Sequence, residues 1–229
     1  SIGHRVVSPH GHLKDIIGLH AERAKWIANP VVLGTVIGII AVGLSLLLTK
    51  PELGVTWDWF FAVPLHAGLL PLAFATFWIL QFTHELGHYL AMKATGHETG
   101  FSIVRKWHLL LPKANIANAR MLPGNRAALV HLAGIIADLL VLSISLVLVL
   151  IGVGTPYFQL ISVLIVIELL LQLTPLGHSD ISRAIEHAYG INSLPETLRK
   201  TAKRMCMFCK NPGIHANEER VARAWLPLT

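Results

Sequence analysis

Apolar residues in this chain gather into long runs instead of the one-sided stripes of a water-soluble helix. The clearest run is residues 31–49, VVLGTVIGIIAVGLSLLLT, which contains no charge. At about 1.5 Å rise per residue, a helix of this length crosses a hydrocarbon core of about 30 Å. Comparable runs cover about Leu72–Ala94, Ala127–Ile151 and Tyr157–Thr174. The pattern predicts four membrane-spanning helices. Between the first two lies PELGVTWDWFFAVPLHAGLLP, residues 51–71, with Trp57, Trp59, Phe60 and Phe61 clustered between prolines. Aromatic clusters favour the membrane–water boundary, so this stretch reads as an interfacial or re-entrant segment. The loop 97–125 includes GFSIVRKWHLLLP, whose alternation predicts a short strand or hairpin. The expected fold is therefore all-α: a polytopic transmembrane bundle of about four spans, an interfacial segment and a small β-like loop at the membrane.

Composition supports the bilayer as solvent. Of 229 residues, 53% are hydrophobic and 14% charged, whereas soluble domains carry about 25% charged residues. The first apolar run begins at residue 31 and is too long for the core of a cleaved leader, so it is expected to stay in the chain as a span. Basic residues set the orientation. Arg5, Lys14, Arg23 and Lys25 precede the first span, whereas Lys50 alone falls in the loop that follows it. Lys93, Arg105, Lys106, Lys113, Arg120 and Arg126 occupy the next loop, the 152–156 turn has none, and the segment after residue 180 is again basic. Positive loops stay in the cytoplasm, which places both termini there in a multi-pass cell-membrane protein. The expected division is a cytoplasmic segment 1–30, a membrane-embedded core 31–180 and a cytoplasmic tail 181–229. The net charge of +6 follows from this topology and suits contact with anionic lipid headgroups. It forms no single stripe, which excludes nucleic acid as the partner.

One polar cluster interrupts the second span. HELGH places His84 and His88 four residues apart, so a helix presents both imidazoles on one face. Two such histidines bind zinc, and the adjacent Glu85 serves as general base toward a metal-bound water. Three ionisable residues in five positions cost too much free energy in a membrane, roughly 2.5–3.5 kcal/mol for each charged type, to be simple packing. A catalytic zinc takes a third protein ligand and keeps one position open. The fourth span ends LLLQLTPLGHSD, in which Pro175 stops the helix and Asp180 follows it at the same cytoplasmic level. Irregular backbone at that depth is tolerated where it lines a polar cavity.

HExxH on one span and P-x-x-x-x-D on a later one resemble the site-2 protease family of intramembrane zinc metalloproteases, whose second motif is N-x-x-P-x-x-x-x-D-G. Here Pro175 and Asp180 stand at the matching separation, with Gln172 in place of the Asn and Ile181 in place of the Gly. RAALVHLAGIIADLLVL, residues 126–142, is similar to the family's A-G-P-x-x-N span, with Ala133 and Gly134 retained, Ile135 for Pro and Asp138 for Asn. The nearest branch in appearance is that of the peptide zinc metalloproteases of modified-peptide and bacteriocin systems, over roughly residues 72–200. The resemblance implies a metalloendopeptidase with one Zn2+ per chain, ligands His84, His88 and Asp180, and Glu85 as base. Its substrate would be a membrane-spanning or membrane-associated peptide cut near the cytoplasmic face. The rival expectations are a peptidase maturing a small ribosomal peptide during export, and a non-catalytic membrane protein that binds peptide or metal.

Other residues are candidates of lesser weight. Asp138 and Glu168 are carboxylates in the middle of spans, with His131, Gln172 or each other as expected partners. Gln172 and His178 flank the proline break as candidates for contacting substrate or supporting the metal ligands. Asn115 and Asn118 are candidates for holding a substrate backbone, since the family's corresponding loop pairs with extended peptide. Gly34 and Gly38 form a GxxxG that would let another helix approach. Cys206 and Cys209 form a lone CxxC, read as two unpaired thiols in a reducing compartment.

Overall fold

The computed structural model describes residues 24–50, 53, 69–106, 109–173 and 179–207. The interfacial stretch 51–71 (apart from Leu53 and residues 69–71), Pro175, His178, Cys209 and the side chain of Cys206 lie outside the described residues. Among these residues the chain is mainly helical, with six α-helices and one two-stranded sheet. Three helices are long and apolar enough to cross a membrane: α1 (Pro30–Thr49), α3 (Gly124–Leu150) and α4 (Thr155–Gln172). The helix α2 (Leu69–Ala94) has ample length, but Gln81, His84, Glu85 and His88 make it less apolar than the other three.

Each helix begins and ends for local reasons. Asn29 caps α1 by accepting from the Val31 N–H at 2.9 Å, and Pro30 supplies the preset first turn. The α3–α4 turn relies on Gly152 and Gly154, whose φ values of 78° and 53° suit glycine. Ser179 caps the short helix α5 (Asp180–Tyr189) by accepting from the Ser182 N–H, and Gly190 closes it at φ 65°. Helix α6 (Leu194–Met207) follows, and its Leu194 and Leu198 pack with Ile191 and Ile185 beneath α5.

The hairpin expected from loop 97–125 is present. Strand β1 (Phe101–Lys106) pairs antiparallel with β2 (Leu109–Ala114), from Phe101 opposite Ala114 to Lys106 opposite Leu109. It docks on α2 through Phe101, which stacks on Phe82 at 5.3 Å and Tyr89 at 4.9 Å. The Trp78 Nε1–H also donates to the Leu110 carbonyl at 2.7 Å.

Helix α3 is the centre of the fold and packs against α1, α2, α4 and α5. Leu80, Leu142, Leu146, Ile161 and Ile165 form the main core between α2, α3 and α4. Glycines set its closest crossings. A Cβ on Gly87 would come within 2.5 Å of the Ala133 carbonyl, so the glycine inside HELGH lets α3 lie against α2. Gly124, the first residue of α3, abuts the His187 carbonyl in the same way. The boundary expected at residue 180 falls at the first residue of α5, which packs along α3.

Candidate metal centre

The two histidines of α2 sit on one face, as their spacing requires, and both are almost fully buried. Each has its Nδ1 committed. His84 Nδ1 lies 2.6 Å from Asp138 Oδ2, and His88 Nδ1 lies 2.8 Å from the Val130 carbonyl. A carbonyl and a carboxylate only accept, so both Nδ1 atoms carry the ring proton. In the neutral ring each Nε2 is then the nitrogen with a lone pair, and the two face one another at 3.1 Å.

Asp180 completes the cluster from α5. Its Oδ2 stands 3.0 Å from His84 Nε2 and 3.3 Å from His88 Nε2. Three atoms able to serve as ligands thus converge, an arrangement that a bound cation, or a proton shared between an imidazole and Asp180, stabilises. In a tetrahedral zinc site with bonds of about 2.0–2.1 Å, donor atoms stand roughly 3.3 Å apart. The observed separations fall close to that value, and two imidazoles with one carboxylate form a donor set suited to zinc. Gly134 makes the room: a Cβ there would lie 2.6 Å from both Nε2 atoms. The ligands expected from the sequence are therefore together in space, and they group as a potential metal site.

The surroundings hold the ligands in place. Gln172 Oε1 accepts from the Asp180 N–H at 3.0 Å, tying the end of α4 to the start of α5. Burial alone would raise the Asp180 carboxyl, but the facing imidazoles of His131, His84 and His88 outweigh it and hold the group well below the ordinary carboxylate range. Glu168 approaches the other side of His84, 4.0 Å from Nδ1. The carboxylates of α3 and α4 therefore meet at His84, where His131 and Gln172 were among the partners expected. Glu85, beside the cluster on α2, accepts from the Ala114 N–H through Oε2 at 2.8 Å, so the end of β2 fixes its carboxylate.

The asparagines take local roles. Asn115 Oδ1 accepts from the Ala117 N–H at 3.2 Å, and Asn118 Nδ2 donates to the Glu98 carbonyl at 3.2 Å. Both close the base of the hairpin on the exposed side, and the structure does not bring them to the histidines.

Sequence reasoning missed four contributors: the Val130 carbonyl, the Ala114 N–H, the reciprocal fit of Gly87 and Gly134, and the stack of His131 on His187. The last two left a signal: Gly134 falls in the A-G segment on residues 126–142, and His187 lies seven residues after Asp180, two turns along the same helical face. Comparison with protein-family models, with curated proteins and with solved structures finds no match.

Proposed function

We propose that the chain is an intramembrane zinc metalloendopeptidase that hydrolyses a peptide bond of a membrane-spanning or membrane-associated peptide near the cytoplasmic face. One observation carries this reading: His84 Nε2, His88 Nε2 and Asp180 Oδ2 converge within 3.3 Å while the far side of each imidazole is tied to an acceptor. In this reading α2 is a fourth span, both termini face the cytoplasm, and the site lies toward that side, where water reaches it.

The chain's own residues divide the work. His84, His88 and Asp180 would hold the zinc. When bound, the metal supplies Lewis acidity that activates water and polarises a carbonyl. Asp138 keeps the His84 Nε2 lone pair turned inward and the Val130 carbonyl does the same for His88, as outer partners of metal-bound histidines generally do. Glu85 takes the proton from the attacking water and returns it to the leaving amine. Its link to Ala114 uses Oε2, and a carboxylate has a second oxygen for this task. The link also joins the base to β2, so a peptide lying along the hairpin would be near the residue that acts on it.

The test separates metal from chemistry. Protein purified in lipid nanodiscs is expected to hold one zinc per chain. Glu85→Gln is expected to keep that zinc and to lose about 10²-fold or more in cleavage of a membrane-inserted peptide library read by mass spectrometry. Wild-type cleavage by Glu85→Gln would remove Glu85 from the mechanism, and a zinc-free wild type would remove the reading altogether.

A further inference from the structure

We propose that His131 is a positioning residue for Asp180, donating from Nδ1 to the carboxylate oxygen that the metal does not use. This rests on His84, His88 and Asp180 forming the metal site.

Two of the three ligands already have visible supports, Asp138 behind His84 and the Val130 carbonyl behind His88. Asp180 presents Oδ2 to the histidines, which leaves Oδ1 to be oriented. The group that faces it is His131, whose Nδ1 lies 3.9 Å from Asp180 Oδ1. His131 is 2% exposed, and its Nδ1 is buried without a hydrogen-bond partner among the described residues. A buried ring nitrogen left without a hydrogen-bond partner is costly. The gap exceeds an ordinary hydrogen bond by roughly 1 Å, so the proposed bond requires the His131 ring and the Asp180 side chain to draw together while Oδ2 keeps its place.

The ring is also held in the right plane. His187 stacks on His131 with centroids 5.1 Å apart and planes 13° from parallel. Asp180 and His187 are the start and near-end of the same helix, and Gly124 brings that helix hard against the base of α3. Helix α5 thus delivers the ligand and clamps the ring that would support it. His131 is not counted among the ligands: its ring centre stands 6.4 Å from that of His88, and among the described residues it falls outside the two groups placed to share an ion, His84–His88–Asp180 and His84–Asp138–Glu168.

The experiment measures zinc affinity of the full chain in nanodiscs by competition with a chromophoric chelator, independently of any cleavage. His131→Phe keeps a flat ring for His187 but has no donor, and it is expected to bind zinc about 10–100-fold more weakly, the usual effect of losing an outer partner. His131→Asn places an amide nitrogen where Nδ1 stood and is expected to stay within about three-fold of wild type, because the outer partner is restored. Should His131→Phe fail to fold, His131→Gln replaces it with the same expectation, because its amide nitrogen falls at the Nε2 position instead. Wild-type affinity in the Phe or Gln variant overturns the proposal, as does an Asn variant as weak as either. His84→Ala is the control: if it retains wild-type affinity, the metal-site reading fails, and this proposal with it.

Discussion

Helices α1 and α3 are about equally apolar, yet the first is almost wholly exposed and the second is close to half buried. On α1 the only buried residue is Gly43, while Val31, Leu33, Ile37, Val42 and Leu48 face outward. On α3 the buried set includes Ala127, Ala128, Gly134, Ser143 and Ser145, together with His131 and Asp138. In water, apolarity decides what goes inside. In lipid, where we propose that these helices lie, it cannot, because the solvent is as apolar as leucine. Small residues that permit close approach, and polar residues that need partners, mark the interior instead. The α3 hydroxyls illustrate this: Ser143 and Ser145 donate to the carbonyls of Leu139 and Val141 and present little bulk to their neighbours.

The sharpest way to break the comparison is to add one methyl group to each helix. Gly134→Ala on α3 would thrust a Cβ to 2.6 Å from both Nε2 atoms. One or both histidines must turn away, and zinc affinity is expected to fall by about 100-fold or more, beyond the loss of an outer partner. Gly34→Ala on α1 meets nothing within 4 Å. It is expected to leave zinc affinity unchanged and stability within about 0.5 kcal/mol or slightly raised. Chelator competition on both variants checks this. Equal affinities would mean that Gly134 does not border the metal.

Asp138→Leu comes next, exchanging the buried carboxylate of α3 for the kind of residue that α1 displays. The replacement suits the hydropathy pattern but leaves the His84 Nδ1–H without an acceptor, unless Glu168 swings in from 4.0 Å. Zinc affinity is expected to drop about 10–100-fold. Asp138→Asn, which still accepts a hydrogen bond, is expected to lose less. Measuring both by the same competition tests whether Asp138 acts as an acceptor or only fills space.

Much of this architecture was legible in the sequence, and the limits have physical causes. The apolar runs placed α1, α3 and α4 within a few residues, because a bilayer demands unbroken length and little else. Helix α2 was equally visible as a helix, but the polar residues that make it interesting also lower its claim to be a span. The meeting of His84 and His88 was legible from their four-residue spacing, and that of Asp180 with them from the proline break and the P-x-x-x-x-D pattern. Asn115 and Asn118 were chosen as substrate-backbone candidates by their place in the loop, and their side chains bond locally at the base of the hairpin. The Val130 carbonyl and the Ala114 N–H were beyond reach, since every residue offers a main-chain group and only the fold selects one. Helix α5 was missed as an element of the core because ten residues starting at a proline break look like the beginning of a tail. Its packing on α3 depends on Gly124, which sequence alone reads as a loop glycine.

The smallest expected effect isolates the one place where α1 behaves like α3. A Cβ on Gly43 would run into the side chain and backbone of Ser143, so the helices touch there almost main chain to main chain. Gly38, on the same helix, has nothing within 4 Å of such a Cβ. Gly43→Ala is therefore expected to cost about 1–3 kcal/mol, the range for overpacking a tight contact, whereas Gly38→Ala should be neutral or slightly stabilising. Both leave zinc affinity unchanged, because the metal ligands come from α2 and α5. Denaturation in detergent micelles, followed by helical signal, measures the difference. A cycle with Ser143→Gly tests its cause. That change removes the Ser143 Cβ and Oγ but leaves its Cα in the way, so Gly43→Ala should cost less in its presence without becoming neutral, and the two substitutions should be non-additive as expected for residues in contact. Strict additivity, with Gly43→Ala itself costless, would mean that the exposed helix makes no close contact with the buried one at this point; strict additivity with the full cost would put the whole of it on the Ser143 backbone.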